Sequence, residues 1–234
     1  MTATGPAPTM RLDAGSDDER DLCDQLAEVG AAVVRAGLVV GSGGNLSARL
    51  PGADACWVTG AGTWLDKLAR PSFVRVRIDD GGTLTAGGAP PAGPTAYPPL
   101  APSSEVALHL ATYRARPDVT AIIHLHPQTA LLLDALGEHI RLVTTDHAFY
   151  VRRVATVPFF PPGSTELAEA AADAVRDGTN CVILSRHGCS VLADSVELAH
   201  KRAHNLEEAA QLTYRALAIG RATELRDQPP PASA

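Results

Sequence analysis

The stretch Val119-Thr120-Ala121-Ile122-Ile123-His124-Leu125, followed by His126, decides how the chain folds. It is a short apolar run rich in β-branched residues, so it reads as a buried strand and not as a helix. Just upstream, Pro102-Ser103-Ser104-Glu105 has the pattern of a helix start, with Val106, Leu108, Leu110 and Tyr113 on the helix that follows and Pro117 beyond its end. Downstream, Thr129–Leu136 reads as a helix, Val151–Val157 as a strand, Thr165–Arg176 as a helix and Cys181–Leu184 as a second buried strand. That strand exits through Ser185-Arg186-His187-Gly188 into a further strand, Ser190–Ala193, and then the longest helix, Val196–Ile219. Towards the N-terminus, Leu22, Leu26, Val29, Val33 and Val34 give residues 17–36 helical periodicity, ended by Gly37. Strands are expected at Leu46–Leu50, Cys56–Thr59 and Phe73–Ile78, and Pro and Gly make Thr85–Pro102 a loop. Irregular alternation of strands and helices without an internal repeat predicts an α/β fold in one domain, residues 17–226. Residues 1–16 and the Pro-rich residues 227–234 are expected to be tails.

Composition narrows the function. The chain has 234 residues, is 45% hydrophobic and carries a net charge of −6, which fits a globular body and argues against nucleic acid or an anionic membrane as main partner. No apolar run approaches the length of a membrane span. Cys23, Cys56, Cys181 and Cys189 form no CxxC, so reduced, mostly buried thiols in the cytoplasm are expected. Lys67 and Lys201 are the only lysines, leaving Schiff-base catalysis just two candidates.

The chemistry concentrates in the histidines. His124 and His126 lie two apart, so on a strand their imidazoles share a face about 6.5–7 Å apart along the backbone, and both can reach one divalent ion. His187 ends the second buried strand and precedes Gly188, which permits a tight turn and close approach. Three histidines on one ion leave a coordination position open, the pattern of a catalytic zinc. His200 and His204, four apart on the last helix with Glu208 one turn on, have chelating spacing too. An amphipathic helix carries such residues on its polar face in any case. Glu105 reads either as a first-turn helix residue favoured by the dipole or as a carboxylate beside the metal. Gly41-Ser42-Gly43-Gly44-Asn45 and Gly60-Ala61-Gly62 read as turns or as pieces of an anion cradle, without Walker or GxGxxG spacing.

Taken in order, Gly41–Ser47, Val58–Gly62, Pro102–Glu105, Arg116-Pro117-Asp118, His124-Leu125-His126 and His187-Gly188 resemble the class II aldolase/adducin family over residues 21–220. The resemblance implies a mixed, mainly antiparallel central sheet flanked by helices in three layers, and a C4 homotetramer with active sites at subunit interfaces. It implies His124, His126 and His187 as Zn2+ ligands, Glu105 as acid/base, and Ser42, Asn45, Ala61, Gly62, Ser103 and Ser104 around a substrate phosphate. The implied reaction cleaves an L-ketose 1-phosphate of the fuculose type to dihydroxyacetone phosphate and an aldehyde. Epimerases, decarboxylases and dehydratases of sugar phosphates share the scaffold, and adducin-like members are binding modules without chemistry. Related aldolases bring a Tyr from a neighbouring subunit to the aldehyde. Here Arg141–His147 holds no Tyr, so His147, or Asp146, and Tyr214 are the aldehyde-side candidates.

Overall fold

A computed structural model describes residues 17–86 and 100–228. The tails at 1–16 and 229–234, and most of the expected loop at 85–102, lie outside the described residues.

The strand predicted from Val119 is β5 (Ala121–Leu125), and it lies inside an eight-stranded sheet. Its neighbours are β1 (Asn45–Ala48) and β8 (Gly188–Ala193), both antiparallel to it. Beyond β1 come β2 (Ala55–Thr59), β3 (Phe73–Arg77) and β4 (Thr83–Ala86). Beyond β8 come β7 (Cys181–Leu184) and β6 (Val154–Val157), the sole parallel pair among the described strands.

Alternation along β5 assigns the two faces. Ile123 and Leu125 pack with α1 (Asp17–Arg35), α3 (Gln128–Ala135) and α5 (Val196–Ala218). Ile122 packs on the opposite side with α2 (Val106–Ala115) and α4 (Thr165–Val175). Each sheet face therefore has its own apolar core, and the three-layer α/β expectation holds.

Three local readings are corrected. The expected loop begins later than Thr85, because β4 runs to Ala86 and pairs with β3 across a bulge at Arg75/Val76. The expected strand at Val151 starts only at Val154, since residues 147–151 form a π-helical turn. The helix start expected at Pro102–Glu105 has no side-chain cap on α2, although Ser103 bonds locally within it. The Ser103 Oγ accepts from the Glu105 N–H at 3.2 Å, and Glu105 itself occupies the position before α2. At the C-terminal end, Asp227 accepts from the Leu142 N–H at 2.8 Å and the Gln228 N–H donates to the Leu142 carbonyl at 2.7 Å.

Candidate metal centre and adjoining cavity

Two strand ends and one helix start build the site. His124 is the fourth residue of β5, flanked in register by Asn45 of β1 and Ser190 of β8, and it is fully buried. His126 follows the strand end. His187 sits in the β7–β8 turn, where Arg186 has φ 60° and the His187 N–H returns to the Leu184 carbonyl. Asp134 of α3 ties this turn down, accepting from Ser185 Oγ at 2.8 Å and the Arg186 N–H at 2.9 Å. At Gly188 a Cβ would stand 2.4 Å from the Leu125 carbonyl oxygen and 2.7 Å from His126, so only glycine lets the two histidine-bearing segments meet.

Ligand atoms of Glu105, His124, His126 and His187 all lie within 4.8 Å of one another. The Nε2 atoms of His124 and His126 are 3.1 Å apart. Glu105 sets Oε2 3.1 Å from His124 Nε2 and Oε1 3.1 Å from His187 Nε2.

The protons show what this geometry suits. His124 Nδ1 donates to the Cys189 carbonyl at 3.0 Å, which leaves a bare lone pair on Nε2 facing the cluster. That lone pair meets a carboxylate and a second imidazole nitrogen. Lone pairs converging in a buried place repel unless a proton or a metal cation lies between them. Two nitrogens about 2.1 Å from one tetrahedral ion stand about 3.4 Å apart, near the 3.1 Å spacing seen here. Glu105 Oε1 makes no hydrogen bond among the described residues. The donor set therefore fits a divalent metal.

Electrostatics agree. Burial, then the neighbouring histidines, pushes His126 down to about 4, so it is a neutral ligand at neutral pH. For Glu105, burial works to raise the pKa, but positive charge placed at the His124 and His187 Nε2 atoms, where a metal ion would supply it, outweighs burial and holds the carboxyl below its usual range.

A cavity of about 170 Å³ opens beside the cluster. All six residues expected around a phosphate line it: Ser42, Asn45, Ala61, Gly62, Ser103 and Ser104, together with Glu105 and His126. No Lys or Arg is among the described lining residues, and an anion against them would meet hydroxyls, backbone N–H groups and the start of α2. Ala61 shapes the wall without offering its N–H, which donates to the Ala101 carbonyl at 2.8 Å. Asn45 turns its amide inward, donating from Nδ2 to Glu105 Oε2 at 3.0 Å.

The other candidates lie elsewhere. His147 is fully buried with Nε2 3.4 Å from Glu208 Oε2, and it does not line the cavity. Tyr214 is 43% exposed on α5 and is likewise absent from the lining. His200 and His204 bring their Nε2 atoms to 2.9 Å on α5, away from the cluster.

Sequence reasoning missed His109, which is fully buried and bonded to both Asn45 and Ser47. It falls four residues after Glu105 and four before Tyr113, and that periodicity was the available signal. It also missed Glu207, whose carboxylate accepts from the Thr129 and Ala130 N–H groups, both at 3.0 Å. This caps α3 immediately after the histidine pair.

Comparison with known proteins agrees with this geometry. The family model for the class II aldolase and adducin N-terminal domain matches residues 24–214. L-fuculose phosphate aldolase of Methanococcus maripaludis is 31% identical over 176 residues, 75% of this chain and 87% of that protein. A 3-oxo-tetronate 4-phosphate decarboxylase of Escherichia coli is 29% identical over 220 residues, covering 89% and 96% respectively. A solved L-fuculose 1-phosphate aldolase superposes with a TM-score of 0.75 at 27% identity, covering 90% of this chain and 91% of that one.

Proposed function

The chain belongs to the class II aldolase and adducin family as one of its lyase-type enzymes, and on that premise we propose that it cleaves the C3–C4 bond of an L-ketose 1-phosphate. The products are dihydroxyacetone phosphate and an aldehyde such as lactaldehyde. The observation carrying this reading is one wall shared by two functions: Glu105 and His126 belong to the metal-type cluster and also line the cavity.

His124, His126 and His187 would hold the ion, which we assign as zinc. Bound there, it would draw electron density from the ketose oxygens and favour the enediolate left when the carbon bond breaks. Ser42, Ser103, Ser104 and Gly62 line the phosphate end and would fix C3 of the substrate near Glu105, while Asn45 lines the same cavity with its amide turned to Glu105. In cleavage a base takes the C4 hydroxyl proton as C4–O becomes a carbonyl, the C3–C4 pair of electrons stays on C3, and Glu105, having taken up a proton from solvent, passes it to C3 and returns to the carboxylate. In condensation Glu105 removes that same carbon-bound proton.

Tyr214, exposed on α5, remains the aldehyde-side candidate for reaching a neighbour's cavity in a C4 homotetramer, whereas His147 is fully buried within its own chain and does not reach one. Large exposed apolar side chains, including Phe149, Phe159, Leu136 and Ile219, supply faces for such an assembly. Buried thiols fit a cytoplasmic home; Cys56 and Cys181 are pushed up to about 12 by burial.

A decarboxylase is the second reading, favoured by the 220-residue alignment to the Escherichia coli relative. A 3-oxo-tetronate 4-phosphate that loses carbon dioxide leaves the same three-carbon enediolate, which again takes a proton on carbon. Incubating zinc-loaded protein with each substrate separates the two. Dihydroxyacetone phosphate with an aldehyde from L-fuculose 1-phosphate supports the aldolase. Carbon dioxide release from the oxo-acid alone supports the second reading, and inertness towards both rejects the pair.

A further inference from the structure

A line of polar side chains runs inward from Glu105, and every one of them is buried. It has a simple origin. Glu105, His109 and Tyr113 recur at helical spacing along the start and inner face of α2, while Asn45 and Ser47 lie two apart on β1. Where that helix stripe meets that strand face, five side chains join. Asn45 Nδ2 lies 3.0 Å from Glu105 Oε2, and Asn45 Oδ1 contacts His109 Nε2. His109 Nδ1 is 2.7 Å from Ser47 Oγ, and Ser47 Oγ is 2.8 Å from the Tyr113 hydroxyl. Apolar residues would fill this space at no desolvation cost, so the line calls for an explanation.

Its polarity is fixed from the outer end. An ionised carboxylate only accepts, so Asn45 must present its Nδ2 donor to Glu105. Asn45 Oδ1 must then accept, which puts the proton of His109 on Nε2. His109 Nδ1 is consequently a bare acceptor, and the single Ser47 hydroxyl proton goes to it. Ser47 Oγ in turn accepts from Tyr113. One assignment of protons satisfies every bond of the line, with the Tyr113 proton going to Ser47 at 2.8 Å in preference to the Thr120 carbonyl at 3.5 Å, and an Asn45 turned the other way would set an oxygen against the carboxylate.

We propose that His109 is a positioning residue: held in its neutral Nε2–H form by Ser47 and Tyr113, it locks the Asn45 amide so that Asn45 aims Glu105 at the reacting carbon. Burial lowers the His109 pKa to about 3 and keeps the ring neutral, as the line requires. The inference rests on the reading of Glu105 as the acid/base.

The test has a spectroscopic arm and a kinetic arm. In zinc-loaded protein with 15N-labelled histidine, His109 is expected as the Nε2–H tautomer with no titration between pH 5 and 8. An Nδ1–H tautomer, or titration in that range, overturns the proposal. In the cleavage of L-fuculose 1-phosphate, His109→Leu is expected to lower kcat about 10–100-fold, with KM within about twofold and zinc content unchanged. His109→Gln, which keeps a donor towards Asn45 Oδ1, should recover most of the loss. A Leu variant with native kcat, or Leu and Gln variants equally impaired, contradicts it. Should the Leu variant fail to fold, Ser47→Ala, which removes the hydroxyl proton that holds His109 Nδ1, is expected to lower kcat with KM unchanged; native kcat there also contradicts it. If the native protein cleaves no ketose phosphate, the aldolase reading fails while the tautomer measurement still decides the line.

Discussion

At the scale of single residues, the proposed site separates into groups that would hold an ion and a group that would move a proton. His124→Ala removes a buried nitrogen ligand and leaves Glu105 Oε2 without its nearest imidazole, 3.1 Å away in the native protein. Elemental analysis after dialysis is expected to find zinc lost along with activity. Glu105→Gln keeps all three imidazoles, so it should retain zinc and lose about 10²–10⁴-fold in kcat. The histidine pair was legible because a strand's period of two leaves one geometric consequence, and His187 because it ends a second apolar strand before Gly188. His109, Ser47 and Tyr113 were not legible one at a time. Each is an ordinary core or helix residue alone, and the line exists only once α2 lies across β1. Asn45 shows the same limit, because a strand residue's spacing does not reveal whether its amide serves an anion or a carboxylate.

At the scale of elements, two carboxylates outside the cluster hold its supports. Glu207 of α5 caps α3, which begins two residues after His126, and the Glu207 side chain is itself buried. Glu207→Ala strands two N–H donors, with an expected loss of about 2–3 kcal/mol in urea unfolding. Asp134 braces the turn that carries His187. Asp134→Ala should leave the fold intact and weaken zinc binding about tenfold in a competition titration with a chelating dye. Neither role was written in the local pattern: Asp134 is a charged residue near the end of α3, Glu207 a charged residue on the buried face of α5, and their partners are 51 and 78 residues away in sequence. Element existence was read well where periodicity was long, as in α1 and α5. It failed at β4, four residues on a sheet edge, and at the π-helical turn before β6, whose apolar residues imitate a strand.

At the scale of the molecule, the buried neutral His109 links stability to pH. An unfolded histidine takes up a proton near pH 6.5, whereas in the folded chain His109 does so only at about 3. Between those values the unfolded state binds more protons, so stability falls as pH drops through that window. Urea unfolding of the metal-free protein from pH 7 to 5 should show a falling midpoint, and His109→Leu should flatten that slope. A midpoint independent of pH would place the proton elsewhere. The order of the eight strands was beyond sequence reasoning, because β1 reaches β5 across more than 70 residues and nothing local encodes that pairing. Once the pairing forms, Asn45 stands beside His124, and the cavity and the histidines share one wall. The most direct test is anomalous diffraction at the zinc edge from crystals of zinc-loaded protein. One strong peak per chain among His124, His126 and His187 is the predicted result. No peak there, or a single peak at His200 and His204, would contradict the account.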